Sequence, residues 1–175
     1  CGVEVPFLRP AALAADDTPM LAVLCHALDI LQQQDGYVPN TVVLLQPTSP
    51  LRKAEHIDEA VRLLLDSDAE SVVSVVEVPH QYNPVSLLRV ESGCLVPYLN
   101  GPQVFRRQDK PTLYARNGPA VVAVRHQVLL EQKSFYGNVS HPLVMSAESS
   151  VDIDQPGDLA LAEFLLRLES MKSTQ

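Results

Sequence analysis

Thr41-Val-Val-Leu-Leu-Gln-Pro-Thr-Ser-Pro-Leu-Arg52 is the stretch on which the fold turns. Val42 to Leu45 is a short apolar run that breaks sharply at Pro47 and Pro50. A run of this length, bounded by turn chemistry, predicts a buried strand in a parallel sheet. The turn after it carries Gln46, Thr48, Ser49 and Arg52. These supply an amide, two hydroxyls and a charged fork, which suit a polar, anionic ligand. In open α/β sheets the loop at the carboxyl end of a strand is where ligands bind.

Working outward, the pattern repeats. Before the strand, Thr18 and Pro19 predict a helix start, and Met20, Val23, Leu24, Ala27, Leu28 and Leu31 recur at helical spacing until Asp35-Gly36. After the loop, residues 54–66 predict a second amphipathic helix, with Ile57, Ala60, Val61, Leu64 and Leu65 on one face. Residues 70–78 predict a second β-branched strand, stopped by Pro79. Helix and strand alternating at short intervals is the pattern of a layered α/β fold.

The middle of the chain departs from it. Residues 79–118 hold five of the fourteen prolines and a hairpin-like pair around Ser92-Gly93, and they are read as an insertion that carries function or a subunit contact. Residues 120–124 and 143–145 predict further strands. Val151-Asp-Ile-Asp154 alternates as a strand would, and Pro156 opens a last helix. The final residues read as frayed.

At 175 residues the chain predicts one domain with a real core. A net charge of −8 without a basic run argues against nucleic acid as the main partner. It does not argue against a nucleotide, which local groups and a divalent metal can hold. No apolar run is long enough to span a membrane. Cys1, Cys25 and Cys94 lack metal-ligand spacing and suggest reduced thiols in a cytoplasm. An unprocessed cytoplasmic chain begins with methionine, so the start at Cys1 predicts a trimmed chain or a fragment.

Three further stretches could carry chemistry. Asp152 and Asp154, two apart, would share one face of a strand, as carboxylates do around one cation. Spacing alone favours the plainer reading of exposed strand-end acids, with Asp154 or Asp158 serving the last helix. Arg106-Arg107-Gln108-Asp109-Lys110 could hold a carboxylate or phosphate, or be a solvated loop. Asn117-Gly118 is a turn signal, and an Asn at the mouth of a strand could equally read a sugar hydroxyl. No Ser sits in a nucleophile elbow and no Cys has a base nearby in sequence, so covalent catalysis has no support.

In order along the chain, Leu45-Gln-Pro-Thr-Ser-Pro-Leu-Arg52, Ser71-Val-Val-Ser-Val with Asn83-Pro84, Arg107-Gln-Asp-Lys-Pro111, Tyr114 to Gly118, and Val151-Asp-Ile-Asp154 with Asp158 resemble the CMP-N-acylneuraminate (CMP-sialic acid) synthetases. The resemblance covers essentially the whole chain, and five motifs in register make it specific. It implies a three-layer α/β/α nucleotide-diphospho-sugar transferase fold with a mainly parallel sheet. It implies transfer of CMP from CTP to the anomeric hydroxyl of a nine-carbon acidic sugar, with release of pyrophosphate and the aid of Mg2+. Asp152 and Asp154 match the metal-binding acids, and this match outweighs the plainer reading of their spacing. Gln46 and Thr48 match sugar-contacting positions, with Ser49 and Arg52 in the same substrate loop. Arg107 and Asn117 match the substrate region. Asp158 fits a helix cap better. Residues 85–116 match a dimerisation insertion, so a homodimer is implied.

The family opens with a strand and a Gly, Ser, Arg and Lys-rich loop that cradles the triphosphate, and nothing of that kind precedes Cys1. The resemblance therefore implies an N-terminally incomplete fold. Val122 stands where the family often places an aromatic residue. Related acids (3-deoxy-manno-octulosonate, legionaminate, pseudaminate) are alternative substrates. A non-catalytic sugar-acid-binding or dimerisation module is the alternative of another class.

Overall fold

The computed structural model describes residues 2–102 and 104–172. Cys1 and the C-terminal residues that read as frayed lie outside them. Helix α1 (Met20–Asp35) starts where the sequence predicts, but the Thr18 side chain does not cap it; the position before the helix is Pro19, whose carbonyl accepts from Ala22 N at 3.0 Å. Its end is closed by Gly36 N donating to Gln32 O at 3.0 Å and Tyr37 N to Leu31 O at 3.3 Å, the double bond that satisfies last-turn carbonyls. Strand β1 (Thr41–Leu44), helix α2 (Ala54–Leu65) and strand β2 (Ser71–Glu77) follow the expected order. A hairpin, β3 (Leu88–Glu91) and β4 (Cys94–Pro97), pairs only with itself and forms a separate two-stranded sheet. Ser92 and Gly93, both at positive φ (50° and 80°), make its two-residue turn. Then come β5 (Tyr114–Arg116), β6 (Val122–Arg125), α3 (His126–Glu131), β7 (Ser140–Met145) and α4 (Pro156–Lys172).

The sheet corrects the expectation of mainly parallel pairing. β1 pairs β6, β6 pairs β2 and β2 pairs β5, all antiparallel; only β2 and β7 pair parallel. The physical reason lies in the segment between β2 and β6. β1, β2 and β7 do run in one direction, as the helix-strand alternation requires. The chain returns from the hairpin against that direction, and β6 fills the gap between β1 and β2. Residues 151–154 also differ from expectation, because they join no ladder. They run as an irregular segment whose Ile153 N donates to Thr48 O at 2.9 Å.

Successive strand residues point to opposite faces, and the two core clusters divide accordingly. Ala123, Val72, Leu143 and Met145 pack with Ala60 and Leu64 of α2. Val124 faces the other way, onto Leu28 of α1 and Val128 and Leu129 of α3. Helices therefore cover both faces, which is the layered α/β arrangement expected.

The sheet carries one irregularity at its carboxyl end. β7 takes one edge of β2 from Ser71 to Val76, so β6 and β5 share the other edge. Arg116 is opposite Val75 and Val122 opposite Val73. Residues 117–121 thus stand against Ser74 alone, as a wide bulge in an otherwise continuous strand. Ser74 pins its far end, donating from its amide to Val121 O and accepting at Oγ from Val121 N, both at 2.9 Å.

Candidate functional site

Three segments meet at the carboxyl end of β1: the loop 46–52, the bulge 117–121 and the irregular segment 150–154. Backbone bonds knit them, Gln46 N to Pro119 O at 3.3 Å and Ile153 N to Thr48 O at 2.9 Å. Arg52 reinforces the join. Its Nη1 donates to Gln46 O at 3.0 Å and to Ala120 O at 2.8 Å, so the guanidinium braces the loop against the bulge. Burial pushes its pKa below the ordinary arginine value.

Asn117 is buried and donates from Nδ2 to Ser150 Oγ at 2.9 Å and weakly toward Met145 Sδ at 3.4 Å. Gly118 follows at φ 66°, and the Asp152 carboxylate lies directly against its α-carbon. Among the described residues, the buried side-chain polar atoms that find no protein hydrogen bond are Ser49 Oγ, Asn117 Oδ1 and Asp152 Oδ1. All three belong to these segments. Buried polar groups are normally paired, so these three stand out as candidates for ligand contact. Gln46 and Thr48 are half-buried beside them.

The two acids differ. Asp152 is half-buried, whereas Asp154 is exposed. Asp158 Oδ2 accepts from Asp154 N at 3.1 Å and Gln155 N at 2.8 Å, the cap role that the sequence predicts for it. Among the described residues no group of three or more His, Cys, Asp or Glu could hold a metal. One or two carboxylates are what a hard cation such as Mg2+ takes from protein when phosphates supply the rest. Asp152 and the exposed Asp154 have the chemistry for that use.

Arg107 does not join this cluster. It sits exposed on the 3-10 turn Arg107–Asp109 and lines a cleft of about 210 Å3 at the carboxyl end of β2, with Glu77, His80, Asn83 and Lys110. That is the same end of the sheet. Asn83 is buried there, donating from Nδ2 to Pro111 O at 2.8 Å and accepting at Oδ1 from Val85 N at 3.2 Å. Sequence reasoning misses Ser74 and Ser150. A serine amid the valines of β2 is the available signal, since a buried polar residue in an apolar strand has a partner to serve.

The fold and site define an α/β domain whose oxygen-rich candidate ligand site stands at the carboxyl ends of its co-directional strands. No family model matches the chain. It is 34% identical over 168 residues to the CMP-N,N'-diacetyllegionaminic acid synthase of Legionella pneumophila, covering 95% of this chain and 71% of that protein. It is 36% identical over 157 residues to the N-acylneuraminate cytidylyltransferase of Streptococcus agalactiae serotype V, covering 90% of this chain but 36% of that protein. The CMP-N,N'-diacetyllegionaminic acid synthase of Campylobacter jejuni is 29% identical over 171 residues, with 97% and 71% covered. The chain belongs to the acylneuraminate cytidylyltransferase family.

Proposed function

We propose that this chain transfers CMP from CTP to the anomeric hydroxyl of a nonulosonic acid, with release of pyrophosphate. The observation that carries the reading is the gathering of unpaired Ser49, Asn117 and Asp152 oxygens at one strand end, in a chain of this family. Asp152 and Asp154 hold Mg2+, which when bound neutralises phosphate charge and aligns the reacting oxygens. Gln46, Thr48 and Ser49 present amide and hydroxyl groups to the sugar from a loop that Arg52 keeps rigid. Asn117 orients its free Oδ1 from the bulge while Ser150 fixes its amide nitrogen. Arg107, with Lys110 beside it, offers positive charge to an anionic group of the substrate.

The segment 85–116 serves as the dimer contact. Its support is a run of exposed apolar side chains on and beside the hairpin, including Leu88, Val90, Leu95 and Phe105. A nucleotide-diphospho-sugar transferase fold and a cytoplasmic setting accompany this reading. Among the described residues no helix is long and apolar enough to cross a membrane.

The test is pyrophosphate release from CTP with Mg2+, offering N-acetylneuraminate, N,N'-diacetyllegionaminate, pseudaminate and 3-deoxy-manno-octulosonate in turn. Release with a nine-carbon acid supports the proposal, and the preferred acid names the substrate. Silence with all four overturns it in favour of a binding module.

A further inference from the structure

We propose that Gly118 is the positioning residue for Asp152: the bulge carries its α-carbon against the carboxylate, and the absence of a side chain there sets where that carboxylate lies. The inference rests on the reading of Asp152 as a metal-holding acid. A Cβ built on Gly118 would fall 2.5 Å from Asp152 Oδ2, 2.9 Å from Cγ and 3.2 Å from Oδ1. No real Cβ lies so close, so any other residue at 118 displaces the carboxylate or the bulge.

The bulge cannot give way easily. It is held at Val121 by Ser74, at Ala120 by Arg52, at Pro119 by Gln46 N and at Asn117 by Ser150. Asp152 is the freer partner. Its neighbour Ile153 is tied only through the backbone to Thr48, and its own Oδ1 is buried with no protein donor. A side chain at 118 therefore moves the acid rather than the turn.

A second close pair in the molecule shows the contrast. A Cβ on Gly137 would lie 2.5 Å from Glu70 Oε2. That carboxylate, however, accepts from Asn138 N and from Gln132 Nε2, so protein donors satisfy it. The Gly137 contact is the packing of an acid whose Oε2 is held by protein donors. The Gly118 contact leaves Asp152 Oδ1 buried without a protein donor.

The experiment separates collision from backbone strain. Alanine at φ 66° is strained and carries a Cβ; asparagine tolerates the left-handed region and also carries one. Mn2+ binding is read by electron paramagnetic resonance in the presence of CTP, beside thermal melts, for wild type, Gly118→Ala, Gly118→Asn and Asp152→Asn. We expect both Gly118 variants to weaken Mn2+ at least tenfold, with the asparagine variant melting within a few degrees of wild type. If Gly118→Asn binds Mn2+ like wild type while Asp152→Asn does not, the positioning role is overturned and the metal assignment stands. If wild type and Asp152→Asn bind alike, or neither binds, the metal assignment itself fails and this inference with it.

Discussion

At the scale of single residues, the site is held by groups that never need touch a substrate. Arg52 spends one nitrogen on two main-chain carbonyls in different segments. Hydrogen bonds to a charged group contribute about 1.5–3 kcal/mol. Arg52→Met, which keeps the stem and removes the fork, should lower unfolding stability by about 2 kcal/mol in urea titration, with CTP turnover falling alongside. Unchanged stability would show that the brace is idle. Glu70 gives a pH prediction. The Asn138 amide, aided by Gln132, holds its carboxyl below the ordinary value of 4.5 against an opposing push from burial. A carboxylate lowered in this way stabilises the fold above its unfolded value and loses that contribution as pH falls through the folded one. Wild type should therefore melt above Glu70→Gln at pH 7, and the gap should narrow as the pH falls below the ordinary carboxylate value. A gap that stays constant to pH 3 would show that the charge contributes nothing.

At the scale of elements, the sequence is most legible where one local rule decides. Helical spacing with Pro19 and Gly36 at its ends bounds α1, and α2 begins at Ala54 as its pattern predicts. The Ser92-Gly93 turn locates the hairpin, because only a few residues accept two positive φ values in a row. Strand direction is not legible. Periodicity states which side chains are buried and is silent on which strand lies alongside, so no local pattern places β6 between β1 and β2. The bulge is hidden for the same reason, since it exists only relative to Ser74 across the sheet. Asn117 and Asp152 stand out in the sequence as candidates, whereas Gly118 reads there only as turn punctuation.

The hairpin supports a prediction of its own. It shares no ladder with the main sheet, and its Leu88, Val90 and Leu95 are exposed. With the dimer contact proposed above, replacing all three with Ser or Thr should shift sedimentation from dimer to monomer and remove the concentration dependence of the melting temperature. Sedimentation unchanged from wild type would move the subunit contact elsewhere.

At the scale of the whole molecule, the two faces of the sheet are covered unequally. On the α2 face, Leu64 is wholly buried against strand residues that reach as far as Met145. On the other face α1 and α3 cover β1 and β6, but over β2 and β7 the sheet lies open. Val144 is 55% exposed there, and an apolar hollow of about 380 Å3 lies between Val73, Val75, Pro142 and Tyr136. Tyr136 overhangs it, gripped at its hydroxyl by Arg116 Nη1 at 2.6 Å. Stability should therefore be concentrated on one side. Leu64→Ala removes a fully enclosed side chain and should cost about 2–5 kcal/mol, because the packed surroundings cannot collapse into the space. Val144→Ala removes a side chain already half in water and should cost about 0.5 kcal/mol or less. Urea titration of both, with an unchanged slope confirming that the same surface unfolds, measures the asymmetry directly. Equal losses would mean that the open face is covered in solution. The site at the strand ends is tied to this division, because Ala120 and Val121 of the bulge pack in one cluster with Ala60 and Leu64 of α2.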